Sequence, residues 1–156
     1  MKRQKLVSII LTSYNEEKNI GRTIKDCQEL KKDFPIEIIV VDAASKDKTV
    51  GIAKKMKVDR IIRFPFKRGK GADFWVAGCV AQGDYIIQID ADHQFQPNEI
   101  PLFVDELDRG ADVAIGTRFS GEGKREKGSV SFRNLFGNWI MSAGTSIACG
   151  RRITDV

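Results

Sequence analysis

No stretch of this 156-residue chain approaches the ~18–20 consecutive apolar residues that a membrane-spanning helix requires. The basic start, Met1-Lys2-Arg3-Gln4-Lys5, is followed by only a short apolar run that enters Ser13-Tyr14-Asn15-Glu16, so it reads as a first strand rather than a secretory leader. Cysteine is scarce. Cys27, Cys79 and Cys149 are odd in number and share no metal-ligand spacing, which argues against a disulfide framework or a zinc site and for reduced thiols in the cytoplasm. The phosphate-loop pattern G-x-x-x-x-G-K-[ST] is absent. Internal repeats and linkers are absent too. The basic tract from Phe119 to Ser129 has no aromatic residues interleaved beyond Phe119 itself, which argues against nucleic acid as a partner. What is present, 42% hydrophobic and 30% charged residues, is ordinary for one globular domain spanning 1–156.

The net charge of +5 is unevenly placed. From Arg118 to Arg152 there are seven Lys/Arg against Glu122 and Glu126, while the rest of the chain holds 19 of each sign. A local positive field of this kind favours a phosphate, a nucleic acid or an acidic membrane surface.

Apolar periodicity alternates between strand and helix patterns. Leu6 to Leu11, Ile36 to Val41, Arg60 to Phe64, Tyr85 to Ile89 and Asp112 to Gly116 read as strands. Helices are expected from Glu17 to Lys32 with Asn15 as a candidate cap, from Lys48 to Met56 with Ser45 or Asp47 as cap, from the Gly-rich loop Phe66–Gly71 to Gln82, from Pro97 to Leu107, and from Ser131 to Ala148. Residues 119–130 read as a mobile basic loop. The pattern predicts an α/β fold with a mostly parallel sheet flanked by helices. In such folds ligands bind outside the carboxyl ends of the strands. Four strand ends carry polar ligand-type residues that then share one edge: Tyr14 and Glu16, Asp42, Asp90 and Asp92, and Arg118.

The run Tyr85-Ile86-Ile87-Gln88-Ile89-Asp90-Ala91-Asp92-His93-Gln94 organises the rest. It ends in two carboxylates two residues apart, with an amide two further on. Asp92 and Gln94 are hard oxygen ligands that a turn can aim at one Mg²⁺ or Mn²⁺. His93 reads as a turn residue beside them. Lys70, in the loop Lys67-Arg68-Gly69-Lys70-Gly71 at a helix start, suits phosphate.

Ser8 to Glu16, then Ile39-Val40-Val41-Asp42 with Ser45, Asp47 and Thr49, then Asp90-Ala91-Asp92-His93-Gln94, then Ala111 to Phe119 resemble the family 2 glycosyltransferases of the GT-A fold. The D-A-D-x-Q pattern, the Gly116-Thr117-Arg118 that follows and Arg133 resemble the dolichyl- and polyprenyl-phosphate mannose or glucose synthases. The resemblance implies an inverting, Mg²⁺- or Mn²⁺-dependent transfer of a sugar from GDP-mannose or UDP-glucose to a lipid phosphate at a membrane surface. It implies a cytoplasmic protein, peripheral to or tethered at the membrane. It places the nucleotide-sugar at Thr12, Tyr14, Glu16, Asp42, Lys70 and Asp90, the metal at Asp92 and Gln94, and the acceptor phosphate at Arg118 and Arg133. Asp90, Asp92, Arg118 and Arg133 then form the catalytic set.

Three positions depart from the family pattern. Thr12 stands for its Pro, Asp42-Ala43-Ala44-Ser45 for its Asp-Asp-Gly-Ser, and Gly137 for a Ser. Asp155-Val156 resembles the opening of the family's D-x-x-x-G-[FY]-R segment, which implies a family domain truncated at its C-terminal side. Two other functions fit parts of the pattern: transfer to a saccharide hydroxyl, which needs a general base for which Asp155 is the candidate, and a non-catalytic nucleotide-sugar-binding module.

Overall fold

A computed structural model describes residues 4–116 of the chain. The described residues up to Asp112 belong to one compact unit, and Val113 to Gly116 belong to a second. The elements run β1 (Val7–Ser13), α1 (Ile20–Glu29), β2 (Ile36–Ala43), α2 (Thr49–Lys55), β3 (Arg60–Phe64), α3 (Lys70–Val80), β4 (Tyr85–Asp90) and α4 (Ile100–Asp108). Single 3-10 turns follow α1 at Leu30–Lys32 and precede α4 at Pro97–Glu99.

All strands are parallel, in the order β3-β2-β1-β4. The two central strands are the β-branched, unalternating runs of the sequence. All seven residues of β1 and seven of the eight in β2 are buried, because a parallel sheet is covered on both faces. One face packs Val7, Ile9, Leu11, Ile38 and Val40 against Ile20, Ile24 and Cys27 of α1, Ala53 of α2 and Ile100 of α4. The other packs Ile10, Ile39 and Val41 against Ala77 and Phe74 of α3. Cys27 lies in the first core, and burial pushes its thiol up to about 12, with Asp26 adding to the effect. It is therefore a packing residue and not a nucleophile or ligand.

The chain steps outward from β1 to β2 to β3 and then returns to place β4 on the other side of β1. The strand order reverses between β1 and β4, and that is where an open α/β sheet leaves a crevice. Register sets which residues reach the crevice: Thr12 lies opposite Asp90, and Ser13 opposite Asp42.

The structure departs from the sequence reading at several boundaries. The first helix begins at Ile20 rather than Glu17, and Asn15 does not cap it. Asn15 turns through a left-handed backbone (φ 54°) and is bonded to the β2–α2 loop. Asp42 and Asp90 fall within their strands rather than after them, because pairing with Ser13 and Thr12 continues the ladder. Ser45 does not cap α2; Asp47 Oδ1 accepts from the Thr49 N–H instead. Residues 112–116 form no strand. Val113 and Ile115 supply the alternation, but a strand needs a hydrogen-bonded neighbour, and no described residue pairs with them. Among the described residues no helix is long and apolar enough to cross a membrane. The expected loop 119–130, the expected helix 131–148, Arg118, Arg133 and Cys149 lie outside the described residues.

Candidate functional site

The residues that follow β1 and β2 are locked to each other through side chains rather than through helix caps. The backbone N–H groups of Asn15, Glu16 and Glu17 donate to Ser45 Oγ (2.8 Å), Thr49 Oγ1 (2.8 Å) and Asp47 Oδ2 (3.1 Å). In return, Lys46 N–H donates to Asn15 Oδ1 (2.9 Å) and Lys48 N–H to Glu17 Oε2 (3.1 Å). Short polar side chains here satisfy backbone donors that have no helical partner. The result is a rigid shelf on which Tyr14 and Glu16 are presented.

Beside that shelf, at the switch point, lies a cleft of about 260 Å³. Its lining includes Thr12, Tyr14, Glu16, Lys70, Asp90 and Asp92, six of the residues singled out from the sequence. Asp90 is held from two sides. Thr12 Oγ1 donates to its Oδ1 (3.0 Å), and Lys70 Nζ lies 2.6 Å from its Oδ2. Lys70 is mostly exposed, so this pair adds at most ~1 kcal/mol to stability. Its interest is positional: a cation stands against the first carboxylate of the D-x-D. Asp92, partly buried, lies two residues on, and its Oδ1 accepts from Gln94 N–H (3.0 Å).

Two predicted residues are not on the cleft lining. Asp42 is fully buried, with Oδ2 accepting from Ser45 N–H (3.0 Å) and 3.6 Å from Arg63 Nε, and Ala43 reaches the cleft in its place. Its Oδ1 is buried without a partner. The Gln94 residue is exposed beyond the cleft.

Two further residues were not singled out from the sequence. The Lys67 ammonium sits 3.3 Å from the centre of the Tyr14 ring, a cation–π contact, and both residues line the cleft. Asp73, in the first turn of α3, also lines the cleft. It is only 3% exposed, and its Oδ1 has no partner. Burial pushes its carboxyl up, with Arg68 opposing. A sequence signal existed: Asp73 is the only charge between Gly71 and Ala81. Because its folded pKa lies above the unfolded one, ionisation costs stability once pH passes the ordinary carboxylate value and costs none below it. Asp73→Asn is therefore expected to raise the melting temperature at pH 8. The advantage should vanish near pH 3. Equal melting of both proteins at pH 8 would show that the buried carboxyl carries no such penalty.

The donors around the Asp90–Gln94 turn are oxygens, and the described residues contain no cluster of three His, Cys, Asp or Glu fit to hold a metal alone. A cation here would take one or two protein ligands and complete its shell with water and ligand oxygens, which is how Mg²⁺ and its relatives bind phosphates. The cleft thus joins an aromatic face, two mobile-chain cations and an oxygen-donor turn.

Residues 8–147 match the family described as glycosyl transferase family 2. The chain belongs to that family. Among curated relatives, a dolichol-phosphate mannosyltransferase of Pyrococcus furiosus is 31% identical over 123 residues, covering 77% of this chain and 35% of the relative. An undecaprenyl-phosphate 4-deoxy-4-formamido-L-arabinose transferase of Proteus mirabilis is 32% identical over 158 aligned positions, covering 96% of this chain and 46% of the relative. The chain thus spans less than half the length of these two family 2 relatives. Among solved structures, glucosyl-3-phosphoglycerate synthase of Mycobacterium tuberculosis, in complex with Mn²⁺, UDP and its product, superposes with a TM-score of 0.57 at 28% identity over 66% of this chain and 39% of that one. A mannosyltransferase of Pyrobaculum calidifontis, in complex with GDP-mannose and Mn²⁺, gives 0.53 at 26% identity over 58% and 28%. The parallel sheet and its flanking helices are those of the GT-A family 2 fold.

Proposed function

We propose that this chain is the donor-binding part of a metal-dependent, inverting glycosyltransferase that moves mannose or glucose from a nucleotide-sugar to a polyprenyl or dolichyl phosphate. The observation that carries this reading is the cleft at the β1/β4 switch point, where Thr12, Tyr14, Glu16, Lys70, Asp90 and Asp92 converge. The lipid-phosphate relatives support the acceptor class, and the Mn²⁺-containing neighbours support the metal.

In this reading the Tyr14 ring takes the flat face of the base and Glu16 the ribose. Asp42, fully buried and off the cleft lining, bonds Ser45 and lies beside Arg63, and so supports the nucleotide site from beneath rather than touching the base. Asp92, on the cleft, and Gln94, two residues on, are the residues that would hold a divalent ion, which would supply charge neutralisation on the leaving diphosphate. Asp90, fixed by Thr12 and Lys70, keeps the turn's first carboxylate in place, and Lys70 can pass from Asp90 to the diphosphate as that charge develops. A phosphate-monoester acceptor is already ionised at neutral pH and needs no general base. Arg118 and Arg133 position it by paired N–H donors, and one direct displacement inverts the anomeric carbon. Contact with the membrane follows from the acceptor rather than from a spanning segment of the described residues.

The donor is tested by thermal unfolding with GDP, UDP, GDP-mannose and UDP-glucose, each with Mn²⁺ and with EDTA. A shift with one nucleotide that EDTA removes supports both donor and metal. No shift with any of them counts against the reading. Arg118→Ala is expected to keep the donor-induced shift and to lose transfer to polyprenyl phosphate by roughly 100-fold, the scale of removing one electrostatic stabilising contact. Undiminished transfer in that variant removes Arg118 from the acceptor site.

A further inference from the structure

The turn that carries Asp92 and Gln94 is tied on its other side to a helix outside the cleft. His93 has a left-handed backbone (φ 63°), a conformation that non-glycine residues adopt when something holds them there. Its ring points away from the cleft, and its side chain is 9% exposed. The ring Nε2 donates to Asp26 Oδ2 at 2.7 Å, on α1. One turn earlier on the same helix, the fully buried Thr23 hydroxyl shares its one proton between the Asn19 carbonyl of its own helix (3.2 Å) and the carbonyl of Ala91 (3.3 Å). Thr23 and Asp26 are three residues apart, so both point from one face of α1. From the opposite side, Ala91 N–H donates to the Thr12 carbonyl (3.1 Å). Ala91 and His93 are thus anchored to α1 and β1, while Asp92, between them, is the residue left projecting into the cleft.

We infer that Thr23 and Asp26 of α1, with His93, are positioning residues for the metal-holding turn: the His93–Asp26 contact fixes the left-handed residue that orients Asp92 on one side and Gln94 on the other. This rests on the reading of Asp92 and Gln94 as metal ligands. None of the three touches the cleft, so the effect runs through the turn. A left-handed backbone alone would be served better by Asn or Gly. The imidazole is what reaches Asp26, and that explains His at this position. Contacts that orient ligands from behind commonly change metal affinity by about 10–100-fold.

The test is nucleotide affinity of the full chain, by titration calorimetry with GDP and UDP, in Mn²⁺ and in EDTA. The variants are His93→Asn, which tolerates the left-handed backbone but is too short to reach Asp26, Asp26→Ala, and the two combined. Each single change is expected to weaken Mn²⁺-dependent affinity by about tenfold, at the low end of that range, and to leave affinity in EDTA unchanged. The double variant should be no weaker than either single one, because one contact is lost in all three. Melting curves in EDTA accompany each titration. Unchanged Mn²⁺-dependent affinity, or equal losses in Mn²⁺ and EDTA, overturns the positioning role and leaves His93 and Asp26 as packing residues. A wild-type chain that binds equally in Mn²⁺ and EDTA overturns the metal reading itself, and the positioning role with it.

Discussion

Replacing Asp92 with alanine is expected to remove the Mn²⁺-dependent part of nucleotide binding while leaving the melting temperature of the free protein unchanged. The carboxylate lies just beyond β4, outside the ladder, and its bond from Gln94 N–H is local to the turn. Nothing in either core depends on it. Surface substitutions of that kind usually stay within ~0.5 kcal/mol. Bound ligand at about 100 times its dissociation constant adds roughly 2.7 kcal/mol, which is ~5–10 °C for a domain of this size. That increment should appear in the wild type with Mn²⁺ and be absent from Asp92→Ala under the same conditions. If the variant keeps the full increment, the ion is held elsewhere. If it melts lower without ligand, Asp92 supports the fold and the comparison must move to Gln94.

The largest stability effect is expected at the opposite end of the sheet. There the chain leaves α3 and enters β4 over a buried polar knot. Ser8 Oγ donates to Glu37 Oε2 (2.6 Å), Gln82 N–H donates to the same oxygen (2.9 Å), and Gly83 N–H donates to Ser8 Oγ (2.8 Å). Glu37 is 7% exposed, and its charge is met by this knot on Oε2 and by the Arg60 guanidinium of β3, 3.9 Å from Oε1. A Cβ at Gly83 would lie 2.6 Å from the Ser8 backbone nitrogen and 2.7 Å from the Tyr85 carbonyl oxygen. Both are strand backbone atoms and cannot swing aside. Gly83→Ala should therefore cost about 3 kcal/mol, at the upper end of ordinary overpacking penalties, and lower the melting point by ~6–12 °C. Chemical denaturation would read the same loss as a lower midpoint at unchanged slope. A melting point within a degree of wild type would mean that β4 slides along β1 without cost, contrary to the paired register.

The strands, their parallel sense and the edge on which ligand residues gather were legible because burial on both faces writes itself as unbroken β-branched runs. Asp90 and Asp92 were legible for the same reason: two carboxylates directly after such a run have few structural uses. The start of α1 was not. Glu16 and Glu17 look like a helix first turn, but their N–H groups are taken by Thr49 and Asp47, some thirty residues away. Side-chain capping across a sheet leaves no local pattern. Asp42 shows the converse. Its place in the order of motifs was clear, yet its complete burial follows from register with Ser13 and from Arg63 on β3, neither of which a linear reading contains. Lys67 escaped because cation–π pairing depends on where a loop folds back, not on spacing.

Three strand ends border the cleft, and each turns through a left-handed residue that is not glycine: Asn15 after β1, Ala44 after β2 and His93 after β4. Asn is the mildest of the three in that conformation, whereas Ala at φ 65° has no side-chain bond to offset the steric cost of its Cβ. The rim of this site is therefore held under tension that the buried cores on either side of the sheet must resist. For anyone engineering the chain, that rim is a reserve. Ala44→Gly would relieve the steric cost of the Cβ in that conformation while freeing the unfolded chain, so two opposed effects meet at one residue beside the loop that holds Asn15, Glu16 and Glu17.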